Sequence, residues 1–447
     1  MDEDLRDIES QQFKSGYLQS LLSEVVKASE LAAVERDKEF VDSPSLRKAL
    51  TIIEEFLRIK KRICYGGMAI NTHLPKSKKF YDFRKTLPDY DFFTPDPESD
   101  ITYLLSMLKK AGFTEVSARL GIHAGTTKVF VNYTGVADIT FMPEWMYKIL
   151  LKRAFIDDGI YYVDTDFLRM NMYLELSRPH GEVERWDKVY KRLLLLNLAS
   201  PIKMDSCKNH SGKKATHVNS DLHTAMIEYL ATNDLIFAGA ELDRIYRKPS
   251  STSARWLLRS TNPVLTIAEN PEFHAATVKQ ILHGINSNLD LRTVHWSALG
   301  ELIPEMYGIS LKGRIIFLAA AERFCHAYNT VTLQNSMKLK IAALDTAITL
   351  FYSLTFVRGL EGFVPNSLRC FANELISISM RTRDQGSAGK FPLFPITCQG
   401  HQPTKPTLLR EKAARIVKEK EKAKEKAKTK KRRLGSSQKK TRKNRRT

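Results

Sequence analysis

Asp89 and Asp91 stand one residue apart in PDYDFFTPDP, with Tyr90 between them and two phenylalanines behind. In extended backbone, side chains i and i+2 share a face, so the two carboxylates project together while Tyr90 and Phe92 pack on the other side. Two bare carboxylates that close repel, and one must take up a proton unless a cation lies between them. A divalent ion meets that need, since Mg2+ (or Mn2+) takes hard oxygen ligands and commonly links carboxylates to substrate phosphates. A third carboxylate, Asp138, sits in the similar context Val136-Ala137-Asp138-Ile139-Thr140, and on a neighbouring strand it completes a cluster for two ions. Upstream, Gly66-Gly67 follow the short apolar run Ile63-Cys64-Tyr65. A strand, a Gly-Gly turn and a helix in succession let the backbone approach a triphosphate and aim N–H groups at it.

These groups need elements to hold them. Asp42-Ser43-Pro44 is a helix-start signal, and Leu46, Leu50, Ile53 and Leu57 recur behind it at helical spacing. That helix ends in Lys60-Lys61-Arg62, favourable at a helix C-terminus, and turns into a strand over 63–65. After the aspartate pair, Thr94-Pro95-Asp96-Pro97 forms a turn, and Ile101, Leu104, Leu105 and Leu108 form the inner face of a further helix. Strands are expected over 128–132 and 136–141. The polar stretch 203–220 reads as a boundary, followed by a mostly helical pattern from Asp221 to about Phe391. The expected organisation is an α+β chain: an N-terminal helical segment over 1–41, a catalytic domain over 42–202, a linker over 203–220, a C-terminal domain over 221–395 and a basic tail over 396–447.

A chain of 447 residues exceeds one core's usual size. Its acidic, polar start, MDEDLRDIESQQF, is unlike a signal peptide, and no stretch suggests a membrane span. Five scattered cysteines without a CxxC pair fit reduced thiols. From Arg410 onward there are 19 Lys or Arg against 4 Glu, a surplus of 15 within a net charge of +20. Such a tail is an electrostatic handle for phosphate polymers; a solvated tail and a localisation-type run (KTKKRR) are the plainer readings.

The order Gly-Gly, Asp-x-Asp, Asp resembles the nucleotidyltransferase superfamily of the DNA polymerase β type. YGGMAIN, PDYDFFTPDP and VADITFMP are similar, more closely, to the catalytic subunit of the poly(A) polymerases of large cytoplasmic DNA viruses, of poxvirus, asfarvirus and mimivirus type. The similarity runs over about residues 45–200, including DFLRMNMYLELSRP and RWDKVYKRL. The resemblance implies a nucleotidyltransferase fold, a mixed sheet flanked by helices, and template-independent addition of AMP from ATP to an RNA 3′ end. It implies that Asp89, Asp91 and Asp138 hold one metal, and Asp89 and Asp91 a second. It also implies a protein of the virion and host cytoplasm, acting with a separate processivity subunit or as a homodimer. Base choice is not written in the metal motif, so a terminal transferase using another NTP stays open, as does an idle RNA-binding processivity partner. For the triphosphate, Lys188 and Arg192 share a helix face and Arg169 lies in the DFLRM segment. Lys76, Lys78, Lys79, Arg84 and Lys85 form a basic flap that reads equally as an RNA or nucleotide contact and as a solvated loop.

An internal echo starts at Leu235-Ile236-Phe237-Ala238-Gly239-Ala240, displaced by about 173 residues from Ile63 onward. PVLTIAENPEFHAATVKQIL parallels PDYDFFTPDPESDITYLLSML. With Pro97-Glu98 laid on Pro271-Glu272, Asp89 and Asp91 fall on Pro263 and Leu265. The parallel reads either as a degenerate nucleotidyltransferase-like copy in the second domain, without the metal-binding aspartates, or as a chance likeness of strand–turn–helix units; two superposable sheets decide between them. Cys207, His210, His217 and His223 match no standard zinc spacing, and Ser206 and Ser211 lack a triad context.

Overall fold

The computed structural model describes residues 23–25, 27–29, 31–32, 35, 43–81, 88–202, 207, 216–247, 253–360, 363, 368–386, 389–421 and 424. Arg84, Lys85 and most of the basic tail lie outside this set. The chain forms two compact units, residues 1–121 with 125–163, and residues 122–124 with 164–447. Among the described residues no helix is long and apolar enough to cross a membrane.

The first unit begins with helix α1 (Pro44–Lys60), capped by Ser43, whose hydroxyl accepts from the Leu46 backbone N–H. Ile53, Phe56 and Leu57 of α1 are fully buried. Lys61 ends the helix in a left-handed conformation and Arg62 leads into β1 (Ile63–Tyr65). Helix α2 (Gly66–His73) follows at once. Then come β2 (Tyr90–Thr94), α3 (Pro97–Lys110), β3 (Val116–Leu120), β4 (Thr126–Val131), β5 (Thr134–Phe141), α4 (Glu144–Arg153), β6 (Phe155–Asp157) and β7 (Ile160–Tyr162). The sheet order is β3-β4-β5-β2-β1-β7-β6. The pairs β2–β5 and β1–β7 are parallel and the other four antiparallel, which is the mixed sheet expected from the sequence.

The second unit opens with α5 (Thr165–Leu176) and α6 (Trp186–Ala199). The boundary between the units thus falls at Val163/Asp164, upstream of the polar stretch 203–220. The reason is α5, which packs into the second core: Thr349 donates its hydroxyl proton to the Met170 carbonyl, and Asp166 is paired with Arg369. The unit continues with α7 (Ser220–Thr232), β8 (Ile236–Phe237), α8 (Leu242–Arg247), β9 (Val264–Ala268), α9 (Pro271–Ile285), β10 (Leu291–Trp296), β11 (Met306–Leu311), β12 (Arg314–Ala321), β13 (His326–Thr332), β14 (Lys338–Ala342), α10 (Leu344–Leu354), α11 (Leu368–Asp384) and β15 (Cys398–Gln399).

An eight-stranded sheet, β10-β11-β12-β9-β8-β14-β13-β15, stands where a mostly helical pattern was expected. Its central strands are buried on both faces, so VLTIA and RIIFLAAA read as continuous apolar runs rather than alternating ones. Periodicity cannot separate such runs from buried helix. Seven of the eight strands repeat the first sheet in the same chain order, with every pairing keeping its sense. The turns agree too: Asp96 caps α3 by accepting from Ser99 N, and Asn270 caps α9 by accepting from Phe273 N, each ahead of a proline. The echo in the sequence is a duplicated fold.

The structure joins Cys207 to Cys370 and Cys325 to Cys398, leaving Cys64 as the free, buried cysteine. This corrects the expectation of five reduced thiols. Partners separated by 163 and 73 residues meet only through the fold, and spacing along the chain carries no trace of them.

Candidate active site

The alternation in β2 sorts its side chains. Tyr90 and Phe92 face α1, where the Tyr90 hydroxyl donates to Glu54 and the Phe92 ring lies 5.6 Å from that of Phe56. Asp91 takes the other face, and Asp89 stands exposed just before the strand begins. β5 runs parallel beside β2, with Asp138 directly opposite Asp91. The third carboxylate therefore lies on the neighbouring strand, as the sequence pattern required.

Two further groups complete this face. Lys128 on β4 pairs with Asp138 at 2.7 Å and is opposite it in register. Burial works against the Lys128 charge, but Asp138, with smaller contributions from Asp89 and Asp91, outweighs it and holds the ammonium above its usual pKa. All three carboxylates thus act on one cation. Tyr65, at the end of β1, shares a hydrogen bond with Thr140 at 2.8 Å and stacks on Phe93 at 4.1 Å. Burial, then the charge of Asp91, push its phenol well up, so it stays protonated.

Gly66 supplies the close approach. It has φ +69°, and a Cβ built there would lie 2.3 Å from Asp91 Oδ2. A side chain would occupy the cradle between the turn and the carboxylate. At Gly67 a Cβ would meet the Tyr81 hydroxyl at 2.5 Å. Tyr81 is brought there by buried Asn71, whose side-chain oxygen accepts from the Phe80 and Tyr81 backbone N–H groups. The frame is locked by Asp100 of α3, which is 1% exposed, pairs with Arg62 at 2.6 Å and accepts from Thr94.

Lys76, Lys78 and Lys79 are exposed on a short turn after α2. Arg169, Lys188 and Arg192 belong to the second unit. Lys188 is exposed and Arg192 half-buried on α6. Arg169 is 3% exposed, and each of its guanidinium nitrogens already has an acceptor among Asn197, Thr165, Asp166 and the Ser200 carbonyl. Its job is to tie α5 to α6, which corrects the expectation of a phosphate contact. Lys128 and Asn71 were missed by sequence reading. Asn71 could have been found as the polar residue inside the apolar run of YGGMAIN, and Lys128 as the lone cation in TTKVFV.

The donor set fits divalent ions: three carboxylates converge beside a glycine cradle that any side chain would close, with a lysine as the standing counter-charge. Residues 51–182 match the model of the family described as poly(A) polymerase catalytic subunit. The chain is similar to a protein of Acanthamoeba polyphaga mimivirus described as a poly(A) polymerase catalytic subunit, 25% identical over 52% of this chain and 40% of the relative. It is also similar to one of African swine fever virus with the same description, 28% identical over 34% of this chain and 31% of that one. The matches thus span well under half of these relatives' lengths. In fold, the chain resembles the Megavirus polyadenylate synthase, with a TM-score of 0.71 at 17% identity over 92% of this chain and 84% of that one. The resemblance carried by YGGMAIN, PDYDFFTPDP and VADITFMP therefore recurs in the family model matched over residues 51–182, in the viral relatives and in a fold shared with the Megavirus polyadenylate synthase.

Proposed function

We propose that the chain is a polynucleotide adenylyltransferase that transfers AMP from ATP to an RNA 3′ end without a template. The 3′ hydroxyl gives its proton to solvent, its oxygen bonds to the α-phosphorus as the α–β bridge breaks, and pyrophosphate leaves. The observation that carries this reading is the pairing of Asp91 with Asp138 on adjacent parallel strands, beside a Gly66 turn that admits no side chain.

Asp89, Asp91 and Asp138 would hold one Mg2+ and Asp89 with Asp91 a second. Bound there, the ions supply the Lewis acidity that activates the hydroxyl and steadies the departing pyrophosphate. Gly66 and Gly67 open the backbone toward the triphosphate, and Asn71 fixes the segment that closes over them. Lys128 balances the cluster's negative charge and orients Asp138. Lys188 and Arg192, with Lys76, Lys78 and Lys79, are the cations proposed for phosphate and RNA, together with Arg84, Lys85 and the basic tail. The partner in processivity is a second copy or a separate subunit, and the setting is the virion and host cytoplasm.

The test is incorporation into a short RNA with each NTP in turn. ATP alone should give a ladder. A ladder with UTP or CTP instead assigns another terminal transferase, and no product with any NTP assigns an idle binding partner.

A further inference from the structure

The duplicated unit has lost its aspartates but keeps a cleft near the counterpart of the Gly66 turn. In register, Leu265 of β9 faces Leu318 of β12 where Asp91 faces Asp138 in the first unit. Both leucines are fully buried, so no carboxylate pair remains there. At the end of β8 and the approach to β9, a cleft of about 270 Å3 opens. It is flanked by the segment after Gly239 and by residues 259–262, the counterparts of the Gly66 turn and the approach to β2.

Glu241 lies in this cleft, 3% exposed. Its Oε1 accepts from the Ser260 hydroxyl and from Asn262 Nδ2, while Oε2, among the described residues, has no hydrogen-bond partner. A buried carboxylate oxygen without a donor is costly unless a ligand supplies one. Trp256 forms part of the wall, with the Arg244 guanidinium 3.8 Å from its ring centroid, a flat cationic and aromatic platform. Arg259 is exposed at the rim. Asp243 and Glu374 also line the cleft, both paired with Arg247, which leaves Glu241 Oε2 as its buried, unpartnered acceptor among the described residues. That acceptor, a stacking surface and a rim cation together match a base with an exocyclic amino group, followed by its phosphate. Uracil has no amino group to give, and a purine covers more of the stacking platform than cytosine.

We propose that this cleft is a second, non-catalytic site that binds an adenine base of single-stranded RNA: the base stacks on the Arg244–Trp256 platform and donates its amino group to Glu241 Oε2. The choice of RNA rests on the adenylyltransferase reading, and the site would grip tail already made. With the full chain and labelled oligo(A), Trp256→Ala and Glu241→Gln should each weaken binding by roughly 10- to 100-fold. In the Gln variant the amide oxygen stays with Ser260 and Asn262, which turns the group facing the cleft from acceptor to donor. Arg244→Ala, at an exposed position, gives a smaller loss without a folding risk. Single AMP addition at saturating primer should stay at the wild-type rate in all three. Unchanged oligo(A) binding in the variants overturns the site, and so does an equal loss for oligo(U) or oligo(C). If the wild-type chain adds no AMP while the variants still lose oligo(A), the adenylyltransferase reading fails and the cleft stands.

Discussion

Gly66→Ala tests how closely the turn and the Asp91 carboxylate, the proposed metal ligand, are fitted. The new Cβ would lie 2.3 Å from Asp91 Oδ2, whereas an ordinary contact needs more than 3.4 Å, so the carboxylate or the turn must move by about 1 Å. The backbone also sits at φ +69°, where a side chain costs about 1–2 kcal/mol. That strain lowers the melting midpoint of the first unit by only a few degrees, roughly 2–4 °C per kcal/mol for a unit of this size. The displaced carboxylate matters far more: a misplacement of about 1 Å in a reacting constellation costs on the order of 100-fold in rate. The assay is primer extension at saturating ATP, with thermal unfolding followed in parallel. Gly67→Ala is the comparison, because its contact is the end of the Tyr81 side chain, which can swing away. Activity of the Gly66 variant within a few-fold of wild type would refute the close fit of turn and carboxylate.

Lys128→Met should lower the Mg2+ concentration for half-maximal activity by roughly fivefold, the scale of one partly exposed ion pair, as read from metal titrations. Because the Lys128 pKa is raised in the fold, its stabilising contribution is complete below the unfolded value near 10.5 and is lost as pH rises through the higher folded value. Alkaline denaturation of the Met variant should lack that component. Thiol titration of the denatured, unreduced chain should count one cysteine, and reduction should cost about 2–4 kcal/mol per bridge in denaturant unfolding; five thiols would remove both bridges from the account. Truncation after Pro406 should give shorter tails and a flatter dependence of RNA affinity on salt.

What the sequence disclosed was local. The Ser43 and Asp96 caps, the strand over 63–65 and the Gly-Gly turn follow from residue types whose backbone demands are specific, and each stands where those demands put it. Asp91 and Asp138 were legible as partners because carboxylates inside apolar strands need a shared cation. Groups whose role depends on tertiary neighbours were not legible. Lys128 looks like any strand lysine until β4 is laid beside β5. Arg169 carries a charge suited to phosphate, but burial against Asn197 and Asp166 consumes it. The second sheet hid behind apolar runs that suit strand and helix alike, although the spacing of its Asx-Pro caps gave the duplication away.

The central claim is that one carboxylate cluster on the first sheet performs the chemistry while the duplicated unit does none. Primer extension with ATP by Asp91→Asn, a change that keeps the side-chain shape and removes its charge, tests this most directly when set beside Glu241→Gln in the second unit. The account predicts no detectable AMP addition by the Asn variant, with its unfolding transition retained, and a wild-type rate of single addition by the Gln variant. AMP addition by Asp91→Asn near the wild-type rate would contradict it.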